Sequence, residues 1–434
     1  MKFLILLLLL STLYTSIICL YSSKKYSVLN GGILLTVFFA FSSNLGINVV
    51  IFNNPIYVSL LFFINVTIIW AFFTISVIKK QKNIKLGYDF SYKEKIIKSI
   101  ILLFLLMIIP LLLQLLYSEI YNYNLFFNNF NLLIDLLLVG IVIYILSKNG
   151  LKLKQIIIAI VILSMINSVI GFLQYIFNSS FLLFSNKSDI IYTEGRNLTK
   201  RAIGIVGASN GAGNLAAIFM PILILYFYKY NKIIGFIAII FNLIFCILTI
   251  TRIGYLAILI EVILCFLIIR SKDKLHVALK IFFATSLLVI SSLIIYFYFD
   301  NIFKVLFVDR GDTHLSRFYQ FENVKLILSD LPLLGIGAGQ YTFSLFANFH
   351  IQDIVIHSQL LNVLVEQGIF NFICFITLIV YLTFRSFKQI NQKWFIPILL
   401  IGFLIVSNFN PNQYYSIPNF IFFIMLYSAV FLED

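Results

Sequence analysis

The chain has 434 residues, of which 61% are hydrophobic and 11% charged, and its mean hydropathy is +1.03. These values lie far outside the usual range for a soluble globular protein, so they exclude that class and predict a membrane protein. The formal net charge is +14 at pH 7. The four cysteines fall within apolar runs without metal-ligand spacing, so they are interpreted as small core residues.

Apolar runs long enough to cross about 30 Å of hydrocarbon recur along the whole chain. The first follows Lys2 and is interpreted as a span, because no small-residue cleavage site follows it. Later runs, such as Ile96 to Tyr117 and Gln155 to Phe177, are continuously apolar, whereas β-barrel strands alternate in polarity. We therefore predict an all-α polytopic membrane protein with about 12–14 transmembrane helices.

Basic residues near span ends mark the cytoplasmic side of a membrane, and one alternation of spans fits the whole chain. The N-terminus then faces outward, although a different division of spans between Tyr26 and Lys80 places it inside. Six clusters on the cytoplasmic side hold 21 of the 31 basic residues: Lys24/Lys25, Lys79 to Lys98, Lys148 to Lys154, Lys229/Lys232, Arg270 to Lys280 and Arg385 to Lys393.

Arginine departs from this rule, because most arginines fall on the outer side whereas lysine obeys it. An arginine excess on the outside indicates an anionic ligand there, since the planar guanidinium suits bidentate binding of phosphate or carboxylate. Five of the seven arginines lie outside: Arg196, Arg201, Arg252, Arg310 and Arg317.

Two hydrophilic segments lie on the outer side, residues 178–205 and residues 300–356. The second is the longest hydrophilic stretch of the chain and includes a helical pattern, "HLSRFYQFENVKLIL". This pattern places Phe318, Phe321, Lys325 and Leu328 at helical spacing before Pro332, so it predicts a helix on the outer membrane surface.

The stretch from Arg201 to Gly213, "RAIGIVGASNGAG", combines an arginine with four glycines in an apolar chain. It does not match a nucleotide-binding P-loop, which needs Gly-Lys-Ser/Thr at a helix start. Gly207 and Gly211 form a GxxxG pair, which indicates close helix packing and leaves the polar Asn210 unexplained.

Two further stretches carry polar or flexible groups beside apolar runs. "TITRIGYLA" places Arg252 between two spans with hardly any loop, where it either snorkels to the interface or binds a ligand. In "LPLLGIGAGQY", Gly335, Gly337 and Gly339 alternate, which favours a tight re-entrant backbone or a flexible return to the membrane.

The stretch "VIHSQLLNVLVEQGIF" begins a span with His357 at its outer end and Glu366 about two and a half turns deeper. His357 is either a polar interfacial residue or a proton acceptor. Glu366 lies on nearly the opposite helix face, so we expect it to satisfy neighbouring helices or an arginine rather than pair with His357.

Other classes of site fit less well. The histidines lack compact spacing and no Asp-x-Asp occurs, so we expect no metal and no cofactor. No G-x-S-x-G motif of a serine hydrolase is present. A coupled transporter needs ionisable groups near mid-membrane, and only Asp135, Glu261 and Glu366 qualify, without apparent inverted repeats.

Four stretches in this order resemble the O-antigen polymerase/ligase family of bacterial membrane proteins, over roughly residues 196–370. Ser358 stands where the family has asparagine after the histidine, and Ile253 stands where it has glycine after the arginine. The stretches are "RAIGIVGASNGAGNLAA", "TRIGYLA", "SRFYQFENVKLILSDLPLLGIGAGQY" and "HSQLLNVLVEQGIF".

The resemblance implies a helical fold similar to the GT-C glycosyltransferases. It also implies transfer of a glycan from undecaprenyl diphosphate at the outer face of the bacterial cytoplasmic membrane. We expect a polymerase, with a ligase as the alternative and a transporter of lipid-linked glycan as a second one. The expected partners are the lipid-linked oligosaccharide, membrane lipid, a chain-length regulator and a flippase, with no nucleic acid.

The same resemblance suggests a role for each charged group. The guanidinium groups are expected to stabilise the lipid diphosphate without a metal, and His357 to hydrogen-bond or deprotonate the acceptor hydroxyl. The expected catalytic residues are His357, Arg252 and Arg317, the diphosphate ligands Arg201, Arg252, Arg317 and Arg196, and the supporting residues Asn210, Arg310 and Glu366.

The chain is expected to divide into four consecutive parts. Residues 1–177 form N-terminal spans, and residues 178–299 form spans with the outer arginine-bearing loop. Residues 300–357 form the large outer loop with its interfacial helix, and residues 358–434 form the C-terminal spans.

Overall fold

The computed structural model describes residues 46–51, 54–80, 89–148, 150–182, 189–194, 197–269, 285–286, 289, 296, 313–329, 333–410 and 415–433. Helices dominate these ranges, as predicted, and the strands form two short antiparallel hairpins. The predicted first span lies outside the described residues, as do Arg196 and Arg310.

The elements with described bounds are twelve helices and four strands. The hairpins pair β1 (Gly46–Ile51) with β2 (Asn54–Ser59), and β3 (Ile191–Glu194) with β4 (Asn197–Lys200). The helices are α1 (Leu60–Lys80), α2 (Asp89–Tyr117), α3 (Tyr123–Ser147), α4 (Leu153–Phe177), α5 (Ser209–Lys229), α6 (Lys232–Thr249), α7 (Arg252–Ile268), α8 (Thr313–Leu328), α9 (Tyr341–Phe349), α10 (Gln359–Gln389), α11 (Phe395–Phe409) and α12 (Ser416–Phe431).

Six helices of the described ranges, α2 to α6 and α10, are long and apolar enough to cross a membrane. Shorter apolar helices include α11 and α12. The described part of the chain is therefore that of a multi-pass membrane protein with an all-α architecture. The predicted total of about 13 spans stays a prediction, because it includes stretches outside the described residues.

The chain forms two compact units, each of which is discontinuous in sequence. Unit 1 comprises Met1–Leu163, Ile327–Asn391 and Gln413–Asp434, and unit 2 comprises Ser164–Leu326 and Gln392–Asn412. In unit 1, α3 packs against α1, α2 and α12, and α10 packs against α2 and α12. In unit 2, α5 packs against α6, α7 and α11. The predicted division into four consecutive parts stays a prediction.

Three helices in the described ranges begin at a residue whose side chain caps a free backbone amide. Asn122, Asn231 and Ser358 precede α3, α6 and α10, and each accepts a hydrogen bond from the backbone amide three residues later. These caps fix where each helix begins, which matters for α10 because His357 directly precedes its cap.

The helix predicted before Pro332 is present as α8, but it ends at Leu328. The predicted stripe with Phe321 and Lys325 is exposed, whereas Val324 and Ile327 are buried. The helix is confirmed, and its position on the outer membrane surface stays a prediction.

Candidate functional site

Arg201 is a buried arginine of unit 2, only 2% exposed. Its Nε donates to the backbone oxygen of Thr249 at 2.7 Å, and its Nη2 donates to Asn210 Oδ1 at 2.9 Å and to Thr251 Oγ1 at 3.3 Å. These three acceptors are uncharged, and together they orient the guanidinium. Arg201 and Asn210, both predicted site residues, are therefore in direct contact.

The glycine-containing loop after Arg201 is buried, and α4 side chains bind its backbone amides. Gln174 Oε1 accepts from the amides of Ile203 at 3.1 Å and Gly204 at 2.8 Å, and Asn167 Oδ1 accepts from Ile205 at 2.9 Å. Since these amides already have protein acceptors, this part of the loop is not a backbone cradle for phosphate. Any phosphate binding here falls to side chains and helix ends.

Close packing of α5 against α7 depends on Gly213 and Gly254. A Cβ on Gly213 would clash with the side chain of Thr251, and a Cβ on Gly254 would lie 2.9 Å from Gly213 O. The expected GxxxG helix pair is wrong, because Gly207 precedes α5 with a φ of 84°. The predicted role of glycine, close approach of helices, is confirmed, but it belongs to Gly213 and Gly254.

Arg252 is the first residue of α7 and is half-buried. Only Ile250, in the left-handed region with a φ of 51°, and Thr251 separate it from the end of α6. A cation at a helix N-terminus is opposed by the helix dipole, by about 0.3–1 kcal/mol. Arg252 therefore stands at a helix end that favours a negatively charged partner.

The N-termini of α5 and α7 lie side by side, and Arg201 contacts both. The Thr251 hydroxyl, at the start of α7, donates to the backbone oxygen of Ser209, at the start of α5, at 2.9 Å. Helix N-termini attract anions, because their free amides and dipoles present positive charge. Two such ends with Arg201 and Arg252 form a positively charged corner within unit 2.

A second polar contact lies one turn further along α5. Asn214 is fully buried, and its Oδ1 accepts from Asn410 Nδ2 at 2.6 Å. Asn410 follows the end of α11, so this contact ties α11 to the helix that carries Asn210. Sequence reasoning missed Asn410; its only signal was an asparagine cluster in "SNFNPN" at the end of an apolar run.

In unit 1, the α10 helix is broken at Gly368, which has a φ of 83° and a ψ of 170°. The Gly335 to Gly339 loop lies against this break. The backbone amides of Ile336 and Gly337 donate to the oxygens of Val365 at 3.1 Å and Glu366 at 3.0 Å. The break therefore leaves its carbonyls with partners, which hydrocarbon surroundings require.

Positive φ values explain why three alternating glycines are needed in this loop. Gly335, Gly337 and Gly339 have φ values of 75°, 109° and 75°, a region that side chains disfavour. The predicted tight backbone is confirmed. A Cβ at Gly335 would also clash with the α10 backbone at Glu366 and Gly368. The loop glycine and the glycine at the helix break therefore both allow the same close contact between the loop and α10.

Glu366 is fully buried and binds backbone amides. Its Oε2 accepts from Gly339 at 2.7 Å and its Oε1 from Tyr341, the first residue of α9, at 3.1 Å. Sequence reasoning missed Gln114 of α2, whose Nε2 donates to the oxygens of Glu366 and Leu334. A lone glutamine in an apolar run was the only sequence signal for it.

His357 is half-buried and directly precedes the N-cap of α10. The hydroxyl of Ser358 accepts from Leu361 N at 3.3 Å. Serine and asparagine cap helices about equally well, so Ser358 keeps the capping capacity of the asparagine usual in the family. His357 and Glu366 belong to the same helix region of unit 1, whereas Arg201 and Arg252 belong to unit 2.

The remaining predicted residues have less structural description. Arg317 lies in α8, and its side chain is outside the described part. Among the described residues, no group of three His, Cys, Asp or Glu side chains could hold a metal ion. The site as described is thus formed by arginines, asparagines and helix ends.

Residues 237–376 match the family model Wzy_C, described as O-antigen ligase. The match confirms the predicted resemblance and extends from α6 through the break in α10. It includes Arg252, Arg317, His357 and Glu366, whereas Arg201 precedes it. A comparison with curated proteins finds no match. A function of the O-antigen ligase or polymerase type is therefore supported, and with it an enzyme.

Proposed function

We propose that the chain is a polysaccharide polymerase that transfers a glycan chain from undecaprenyl diphosphate to a lipid-linked repeat unit. The reaction takes place at the outer face of the bacterial cytoplasmic membrane. The observation that carries this proposal is the charged corner of unit 2. There, Arg252 stands at the N-terminus of α7, and the buried Arg201 contacts Asn210 at the adjacent start of α5.

The corner suits a diphosphate leaving group. Breaking the glycosidic bond leaves negative charge on the lipid diphosphate, and fixed cations stabilise that charge as it develops. Arg252 is half-buried and reaches this charge directly. Arg201 is buried and adds a fixed positive charge, because its described hydrogen bonds hold the guanidinium in one orientation. Arg317 and Arg196 are further diphosphate ligands in this proposal, and Arg310 supports them.

His357 acts on the acceptor. An imidazole has an ordinary pKa of about 6.5, so its neutral form can accept the proton of the attacking sugar hydroxyl. The hydroxyl oxygen then bonds to the anomeric carbon as the bond to the diphosphate oxygen breaks. The electron pair of the broken bond stays on the diphosphate, and a single displacement inverts the anomeric configuration.

A ligase is the second candidate, and the description of the matching family as O-antigen ligase favours it. A ligase uses the same donor and the same diphosphate contacts but transfers the chain to lipid A core or to protein. Deleting the gene separates the two functions. Surface glycan reduced to single repeats indicates the polymerase, and loss of all attached polymer indicates the ligase.

The enzyme proposal is tested with purified protein in vesicles and a lipid-linked repeat unit. We expect elongated product and free lipid diphosphate, and Arg252→Ala should reduce the rate by about 100- to 1000-fold. Arg252→Lys should stay strongly impaired, because an ammonium group cannot form the bidentate contact.

Arg385→Lys is the matched control, because Arg385 lies near the other end of α10 and contacts Tyr92. It should leave the rate unchanged. If the wild-type protein releases no lipid diphosphate but moves the lipid-linked unit across the vesicle membrane, the chain is a transporter and the enzyme proposal is wrong.

A further inference from the structure

The segment between α9 and α10, residues 350–358, carries His357 and has no regular helix or strand structure. A general base must be held within hydrogen-bond reach of its substrate, so an irregular segment needs other contacts to fix the imidazole. The bond between Tyr341 and Asp353 supplies such a contact.

Tyr341 is 1% exposed, and its hydroxyl donates to Asp353 Oδ2 at 2.7 Å. A hydrogen bond from a hydroxyl to a carboxylate is roughly twice as strong as a hydrogen bond between two neutral groups. The second carboxylate oxygen, Oδ1, accepts from the backbone amide of Ile354 at 2.7 Å. Asp353 therefore joins the start of α9 to the backbone four residues before His357.

Tyr341 is itself fixed from α10. Its backbone amide donates to Glu366 Oε1 at 3.1 Å, and Glu366 is fully buried in that helix. The chain from Asp353 to Glu366 is thus held at both ends by one residue, Tyr341. His357 lies between these two points.

We propose that Tyr341 and Asp353 are positioning residues that fix the imidazole of His357. This inference rests on the proposed function only for its effect on catalysis, since the fixing of His357 can be measured without any reaction. Neither residue touches substrate in this proposal. Tyr341 acts through Asp353, and Asp353 acts through the backbone that leads to His357.

The first measurement is the rate at which diethyl pyrocarbonate modifies His357 in the full-length protein, followed by mass spectrometry. Tyr341→Phe and Asp353→Ala should each raise this rate severalfold, because the half-buried imidazole becomes more exposed when its segment is released. The exposed His350 serves as the internal reference in the same samples. Its rate should change little although it belongs to the same segment, because its side chain is already exposed.

Two variants act as controls. Asp353→Asn keeps one oxygen that can accept from the Tyr341 hydroxyl but loses the charge and the second acceptor, so its modification rate should lie between those of the wild-type protein and Asp353→Ala. Tyr427→Phe removes the hydroxyl of another fully buried tyrosine, one without a described hydrogen-bond partner, and should leave His357 unchanged. Unchanged modification of His357 in both Tyr341→Phe and Asp353→Ala overturns the inference.

The second measurement is glycan transfer in vesicles. Tyr341→Phe should lower kcat by about ten- to a hundredfold and leave the KM for the donor unchanged, because the diphosphate contacts are intact. Full transfer by His357→Ala would contradict the proposed role of His357 but not the positioning. A raised KM with unchanged kcat in Tyr341→Phe would contradict the positioning alone.

Discussion

Arg201 illustrates how a charged side chain that is proposed to bind a ligand can also hold together the structure around it. Its guanidinium donates to a backbone oxygen and to two side chains, and all three acceptors belong to elements around the start of α5 and α7. Removing the guanidinium leaves buried acceptors without these donors, at a cost of about 1–3 kcal/mol each. Arg201 therefore links the end of α6 to the starts of α5 and α7, next to Arg252.

Arg201→Lys is predicted to destabilise the protein, because one ammonium group cannot replace donors at both Nε and Nη2. We expect a clear loss in thermal unfolding temperature of the purified protein and a loss of glycan transfer. Arg385→Lys should unfold like the wild-type protein. A fully stable and active Arg201→Lys would contradict the orienting role of these hydrogen bonds.

The sequence could indicate Arg201 and His357 but not their contacts. Arg201 stood out because it is a basic residue on the outer side, against the charge rule for membrane spans. His357 stood out because it lies at the outer end of a predicted span. Gln114 contacts a residue 252 positions away, and Asn410 contacts one 196 positions away. A single polar residue in an apolar run does not reveal a partner at such a separation, so both were missed.

At the scale of elements, the break in α10 and the glycine loop depend on each other. The loop amides of Ile336 and Gly337 bind carbonyls near the break, and Gly368 provides the space for the loop backbone. The spacing of the loop glycines predicted a tight backbone. It could not predict the break, because a glycine inside an apolar run is also compatible with an unbroken helix.

Gly368→Ala is predicted to prevent stable folding of unit 1. Its φ of 83° disfavours a side chain, and the added Cβ would clash with Leu333 O and the backbone of Leu334 and Gly335. We expect a loss of several kcal/mol, measured as lower yield of folded protein and lower unfolding temperature.

Gly150→Ala is the matched control for this substitution. Gly150 has a φ of 85°, but nothing lies within 4 Å of an added Cβ. Its cost should therefore be limited to backbone strain, about 1–2 kcal/mol. Equal effects of the two substitutions would show that the close loop contact at Gly368 is not important for stability.

At the scale of the whole molecule, the described helices fit the class that composition indicated. Continuous apolar runs and the absence of strand-like alternation correctly predicted helical spans. The two units were not predictable, because each combines segments from distant parts of the chain.

The predicted sidedness is testable by labelling introduced cysteines in intact cells with a membrane-impermeant maleimide. Gln352→Cys should react, because Gln352 is exposed in the predicted outer segment, whereas Lys152→Cys should react only after the cells are opened. A Cys19→Ser protein is the background, because Cys246, Cys265 and Cys374 are buried and Cys19 lies outside the described residues. The reverse pattern would place the arginine corner on the cytoplasmic side and contradict the proposed reaction.

Gln114 has a consequence for how the protein is made. Its partners, Leu334 and Glu366, are 220 and 252 residues further along the chain. At a synthesis rate of about 5–20 residues per second, α2 enters the membrane about 10–50 s before these partners exist. During this interval the side-chain amide of Gln114 must be shielded by the insertion machinery or stay near water. The packing of α2 is therefore completed only after α10 has been synthesised.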